Sequence, residues 1–143
     1  MIEVAVGELT ERRAEALLRP VSQDWAPVTA AMRRLEAAAG DALLERCRRL
    51  GELPVGSAAI TPAGELAAEF LVHVVVRSYD EAVSAPGVSK ALLNGLRRLD
   101  EWSLRTVAMP LLGTGAGNLD AEEAADAMIP VLLEHLAGRS GIE

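Results

Sequence analysis

Aromatic side chains make up only 3% of this 143-residue chain. Any platform for stacking a base would have to come from Trp25, Trp102, Tyr79 or Phe70. Cysteine occurs once, at Cys47, so an internal disulfide and a thiolate metal cluster are both excluded. With only His73 and His135 besides, neither a dedicated metal site nor a cofactor is expected. No apolar run approaches the ~20 residues that a membrane helix needs. The opening Met1-Ile2-Glu3 carries an early acid and no apolar signal core. Cations are outnumbered, with 14 Lys and Arg against 21 Asp and Glu and a net charge of −7. A long nucleic-acid track needs clustered cations to neutralise phosphates, and this balance argues against one. A single nucleotide needs only local donors. These absences predict a soluble, reduced, cytoplasmic domain with no membrane and no long nucleic acid as partner; a homo-oligomer stays open.

Half of the residues are apolar, which suits one globular core. The positive charge is nearly all arginine, in pairs such as Arg33–Arg34, Arg48–Arg49 and Arg97–Arg98. These pairs fall where the apolar spacing is helical, and they read as solvated faces with intrahelical ion pairs. Short alternation over Ile2–Val6 predicts a first strand, and Ala14–Leu18 a second, ended by Pro20. Helical spacing covers Val28–Ala39 and, with Asp41 as N-cap, Asp41–Leu50. Ser57–Thr61 reads as a strand, followed by a type I turn at Pro62-Ala63-Gly64. Phe70–Val76 and Thr106–Leu111 are apolar throughout, which predicts two central strands covered on both faces. Helices follow over Val88–Trp102 and Asp120–Ala137, with Pro130 expected to kink or divide the last one. The alternation of strands and helices predicts an α/β fold, a mixed, mostly parallel central sheet between helices. Residues 1–138 form the single domain, and 139–143 a short disordered tail.

The stretch "VAMPLLGTGAGNLDAEEAADAM", residues 107–128, runs from an apolar strand through a glycine loop into an acidic helix. Gly113, Gly115 and Gly117 allow positive φ and a close approach of backbone to whatever lies above. Thr114 adds a hydroxyl between two of them. Such a loop, at the C-terminal end of a strand, can turn its N–H groups toward an anion. It can equally be a tight turn into a helix, with Asp120 and Glu123 forming a capping box. Those two acids, with Glu122, compete with any anion at the helix end, so a phosphate would be held by the loop's own amides. No lysine follows in the manner of an ATPase loop.

Four segments in order resemble the macro domain, the ADP-ribose-binding module. They are "GELT" (7–10), "AAGDALLERCRRLGELPVGSAAIT" (38–61), "FLVHVVV" (70–76) and "AMPLLGTGAGNL" (108–119), and together they span most of the chain. The resemblance implies a three-layer α/β/α fold that binds ADP-ribose, a related phosphorylated nucleotide or phosphate. Carried over by position, it implies a ligand site of Glu8, Leu9, Ser22 and the loop Leu112, Gly113, Thr114, Gly115, Ala116, Gly117 and Asn118.

The chain departs from the family pattern at three places. Arg19-Pro20-Val21-Ser22 stands where the family has Asn-Ala-Ala-Asn, so Ser22 replaces the asparagine that faces the distal ribose. Pro27-Val28-Thr29-Ala30 replaces a run of glycines that opens the first phosphate loop. Proline offers no N–H, and β-branched residues resist positive φ. Glu8 replaces the aspartate that accepts from the adenine amino group. Those departures favour binding without turnover and no catalytic residue. The alternatives are an ADP-ribosyl hydrolase or O-acetyl-ADP-ribose deacetylase, and a non-binding interaction or oligomerisation scaffold. Side chains from Trp25 to Ala31 filling the cleft above the glycine loop would favour the scaffold. His73, amid valines, reads as a packed core histidine, Cys47 as buried and inert, and Asp24 as a cap for the next helix.

Overall fold

The computed structural model describes residues 1–115, 118–138 and 140–143. A single 3-10 turn (Leu9–Glu11) leads into β1 (Ala16–Ser22), α1 (Ala30–Ala39), α2 (Asp41–Arg49) and β2 (Ala58–Pro62). Then come β3 (Phe70–Arg77), α3 (Ala85–Glu101), β4 (Val107–Ala108) and α4 (Ala121–Ala137). The sheet order is β2-β3-β1-β4. β1 is parallel to both of its neighbours, and β2 is antiparallel to β3. The sheet is therefore mixed and mostly parallel, as the alternation of elements predicts.

Side chains alternate across the sheet and meet a different layer on each face. On one face, α3 comes so close at Gly95 that a Cβ there would lie 2.9 Å from Leu18 Cδ1 and from Val74 Cγ1. α4 then packs outside α3, where Ser89 Oγ donates to the Ala127 carbonyl at 2.9 Å. On the other face, Arg19 and His73 point toward α1 and α2, meeting Glu36 and Cys47. Leu17, Leu18, Val21, Leu71, Val72, Val74, Leu92, Leu96 and Leu99 are buried. Each such side chain contributes roughly 1.5–3 kcal/mol on leaving water.

Several expectations are corrected. Ile2–Val6 forms no strand, since no described neighbour pairs with it, and a lone strand has no ladder to hold it. Pro20 does not end β1 but lies inside it, opposite Val74. Ala16 donates its N–H to Thr106 on the β4 side, and Ser22 donates to Ala26 at 2.9 Å. By alternation the Pro20 nitrogen faces that same side, beyond the end of β4, where no ladder bond is lost. Thr106–Leu111 is not a central strand: β4 is the sheet edge, two residues long and half-buried. Its apolar residues pack under helices on the core side, and Pro110 cannot extend the ladder.

Helix ends differ in detail. Gly40, not Asp41, occupies the N-cap of α2, without a side-chain bond. Thr29, not Asp24, caps α1 by accepting from Met32 N–H at 3.2 Å. Asp24 instead accepts from Ala26 N–H two residues on. The turn after β2 lies two residues later than expected, with Leu66 N–H donating to the Ala63 carbonyl. α4 has the full Asp120–Glu123 capping box and runs undivided through Pro130. Ser140 and Gly141 bond to Asp100, and Glu143 N–H donates to the Arg105 carbonyl.

Candidate functional site

At the C-terminal rim of the sheet, the chain after β1 turns back on itself. Trp25 N–H donates to the Ser22 carbonyl, and Pro27 bridges Val21. Segment 26–29 thereby takes the space beside β1 that the short β4 leaves open. Trp25 holds φ +71°, a left-handed conformation that costs a non-glycine residue of order 1–3 kcal/mol. Its burial, a bond from Nε1 to the Gly51 carbonyl at 2.7 Å and an edge-on contact with His73 hold it there.

The glycine loop faces this segment. Gly113 has φ +82° and Gly115 φ +123°. A Cβ on Gly113 would fall 2.7 Å from Val83 Cγ1 and 2.8 Å from Val88 Cγ2, so the loop is seated tightly on its own core. A Cβ on Gly115 would lie 3.2 Å from Thr29 Cγ2 and 3.7 Å from the Val28 carbonyl oxygen. Leu119 N–H donates to the Gly113 carbonyl and Asn118 N–H to the Gly115 carbonyl. The Thr114 hydroxyl turns back to the Leu111 carbonyl at 3.4 Å, and Asn118 Nδ2 reaches the Thr114 carbonyl at 3.4 Å. Leu112 is fully buried, its N–H directed at Met128 Sδ. Ala116 and Gly117 lie outside the described residues.

The remaining expected site residues are spread along the rim. Glu8 is exposed and lies 3.7 Å from Arg34, an ion pair at the edge of α1. Leu9 begins the 3-10 turn, half-buried. Ser22 is buried at the end of β1, and its Oγ accepts from Arg77 Nε at 2.9 Å. The structure thus brings Gly115 together with Val28 and Thr29, and Ser22 together with Arg77. The sequence marks Thr29 within the segment that could fill the cleft, but not as the cap of α1, and it does not mark Arg77. An N-cap signal, a threonine before Ala30, could have found that cap; Arg77 has no signal beyond its place at a strand end.

Beneath the rim lies a buried polar chain that the sequence does not announce. Arg19 is fully buried; its Nη1 contacts Glu36 Oε1 at 2.7 Å and its Nε donates to His73 Nδ1 at 2.9 Å. With Nδ1 accepting, the His73 proton sits on Nε2, which faces Thr61 Oγ1 at 2.8 Å. Thr61 passes its own proton toward the Pro62 carbonyl. Cys47 Sγ lies 3.8 Å from His73 Nε2. Burial, and then the Arg19 charge, hold the His73 pKa well below its ordinary value. Burial raises that of Cys47. His73 is therefore a packed, neutral core histidine, far from the solvent that a general base must reach.

Fold and rim together define an α/β domain with a glycine loop at the strand ends. The Macro domain family profile matches residues 30–128. A macro domain-containing protein of Chlorobaculum tepidum is 36% identical over 111 residues, covering 76% of this chain and 64% of the relative. An O-acetyl-ADP-ribose deacetylase of Klebsiella pneumoniae is 27% identical over 147 residues, covering 99% and 84%. The Oceanobacillus iheyensis macrodomain with ADP superposes with a TM-score of 0.84 at 20% identity, covering 96% of this chain and 77% of that one. The chain belongs to the macro domain family. Among the described residues, no helix is long and apolar enough to cross a membrane.

Proposed function

We propose that this domain binds an ADP-ribose-like nucleotide, or its phosphate alone, between the Gly113–Asn118 loop and the first turn of α1, without turning it over. One observation carries the reading. Gly113 and Gly115 hold left-handed φ values of +82° and +123° at the strand end, beside the residue that caps α1. Two left-handed glycines in one short loop let backbone amides converge on an anion, and the start of a helix adds a favourable dipole. The relatives support the ligand class, one being named an O-acetyl-ADP-ribose deacetylase and another holding ADP.

Turnover needs a group that orients substrate or water. The Ser22 hydroxyl is engaged by Arg77, Asp24 accepts from Ala26 N–H, and His73 is sealed under the sheet. Binding is weakened by the loss of charge-assisted bonds worth about 1.5–3 kcal/mol each, several of which together lower affinity by orders of magnitude. Isothermal titration with ADP-ribose, ADP and inorganic phosphate tests the reading. Heat of binding is expected for ADP-ribose and is lost in Gly115→Val. No heat with any of the three overturns it, as would steady deacetylation of O-acetyl-ADP-ribose overturn the absence of turnover.

A second reading, a non-binding scaffold, is favoured by one observation: Thr29 and Val28 occupy the space directly over Gly115. Thr29→Gly separates the two. A binding domain gains affinity when that methyl is removed, and a scaffold gains none.

A further inference from the structure

We propose that Arg77, held in place by Ser22, determines ligand specificity at the rim. It takes a second anionic group of the ligand, a phosphate or carboxylate one sugar away from the phosphate in the glycine loop. The inference rests on the anion site proposed at that loop.

The first observation is a pair of donors that lack an acceptor. Arg77 ends β3, half-buried, and spends one nitrogen, Nε, on Ser22 Oγ at 2.9 Å. No ion pair among the described residues includes it. Ser22 is only 8% exposed. A hydroxyl that accepts from a guanidinium still has its own proton to give, and no described residue takes it. Buried polar groups ordinarily find partners. One oxyanion would serve both side chains. The guanidinium fork matches a carboxylate or phosphate, and the serine proton reaches a further lone pair.

The second observation concerns charge. The chain carries a net −7, yet the acids on the neighbouring loops are turned to bonds of their own. Glu52 accepts from Gln23 Nε2 at 2.9 Å and from the Tyr79 hydroxyl at 3.0 Å. Asp24 accepts from Ala26 N–H. Arg77 is thus left to bring positive charge to the strand ends, where α/β sheets place their ligands.

The third observation is spacing. Ser22 and Arg77 are partners across the β1–β3 ladder. On the other side of β1, Pro27 bridges Val21, and Gly115 stands over Val28 and Thr29 of that same segment. Adjacent strands lie about 4.8 Å apart, so the two donor sets are separated by roughly 10 Å across β1. Two directly joined phosphates do not span that gap. A pentose with an anionic group at each end does, and ribose 5-phosphate is the terminal unit of ADP-ribose.

The test is chemical-shift titration of the whole 143-residue chain with three probes. Ribose 5-phosphate, ribose 1,5-bisphosphate and 5-phosphoribonate carry a hydroxyl, a phosphate and a carboxylate at the far end. The doubly anionic probes are expected to bind about tenfold more tightly than ribose 5-phosphate, as one charge-assisted contact provides. They are also expected to move the Arg77 Nε–H resonance, which ribose 5-phosphate leaves in place. A gain with one of them alone supports the site and fixes the group it takes. In Arg77→Leu the gain is expected to vanish, with ribose 5-phosphate affinity unchanged; Arg77→Lys, which keeps the charge without the fork, retains part of it. An equal loss for all three probes in Arg77→Leu would make the residue a tie between β3 and β1, and the proposal would fall. Equal affinities in the unsubstituted protein, still abolished by Gly115→Val, would sink the proposal and leave the loop reading standing. Binding of no probe, or binding indifferent to Gly115→Val, would remove the loop reading and this inference with it.

Discussion

Arg19 Nε donates to His73 Nδ1 at 2.9 Å, between residues that are direct partners in the β1–β3 ladder and are both fully buried. A guanidinium under a sheet is tolerable because Glu36 supplies the opposing charge at 2.7 Å. Removing that partner leaves an uncompensated buried cation, which costs roughly 3–5 kcal/mol. Glu36→Ala is therefore expected to lower the urea midpoint drastically or to prevent folding. Glu45→Ala removes the exposed partner of Arg49 and is expected to change stability by less than about 1 kcal/mol. Equal effects of the two substitutions would refute the asymmetry.

The same pair sets a pH dependence. The folded-state pKa of His73 lies below its unfolded value of 6.5, so the unfolded chain takes up a proton more readily than the native one. Stability from this group is complete above about pH 6.5 and falls as the pH drops below it, with a limiting slope of about 1.4 kcal/mol per pH unit. Protonation would also put a proton on Nδ1 facing the Arg19 N–H. Thermal melts at neutral and mildly acidic pH are expected to show the loss, and His73→Gln to flatten it. An unchanged slope in that variant would assign the acid sensitivity to another group.

Cys47 offers an independent readout. Its thiol is fully buried and its pKa is raised by that burial. The thiolate is the reactive species, so an aromatic disulfide reagent should find almost none in the native state. Labelling is expected to proceed at the rate of opening of α2 and to accelerate with denaturant. Rapid labelling of native protein would contradict this packing.

Gly113 combines φ +82° with valine methyls less than 3 Å from where a Cβ would stand. Gly113→Ala is expected to cost roughly 1–3 kcal/mol through strain and overpacking. Gly115 also has positive φ, +123°, but opens toward Thr29, so Gly115→Ala is expected to cost less stability and more ligand affinity. Denaturation midpoints and titrations on the same two variants separate these effects.

The long apolar or periodic stretches were legible in sequence: β3, α3 and α4 lie within three residues of where spacing puts them. The glycine loop was legible as a loop, because few side chains adopt the φ it needs. The sheet edges were not. Val107 and Ala108 look as apolar as a central strand, and only the partner on each side decides between centre and edge. Arg19 was illegible for a different reason. Arginine is rarely buried, and its partners Glu36 and His73 lie 17 and 54 positions away in the chain. The closure of Gly115 by Thr29 also belongs to tertiary packing, since it depends on where the chain turns back after Ser22.

Pro20 marks the level at which the rim opens. Because its ring nitrogen carries no proton and faces the β4 side, β1 has no donor there with which to zip the two strands further together. The sheet forks at this point, β1 going one way toward Arg77 and the chain after β4 the other way into its glycines. Segment 26–29 sits in the crotch of that fork like a wedge. The notch is thus set where the strands part, by the end of β4 at Ala108 and by segment 26–29 bridged to Val21. Pro20→Ala would restore that donor, but with β4 ending at Ala108 and segment 26–29 held beside Val21 the notch would keep its width.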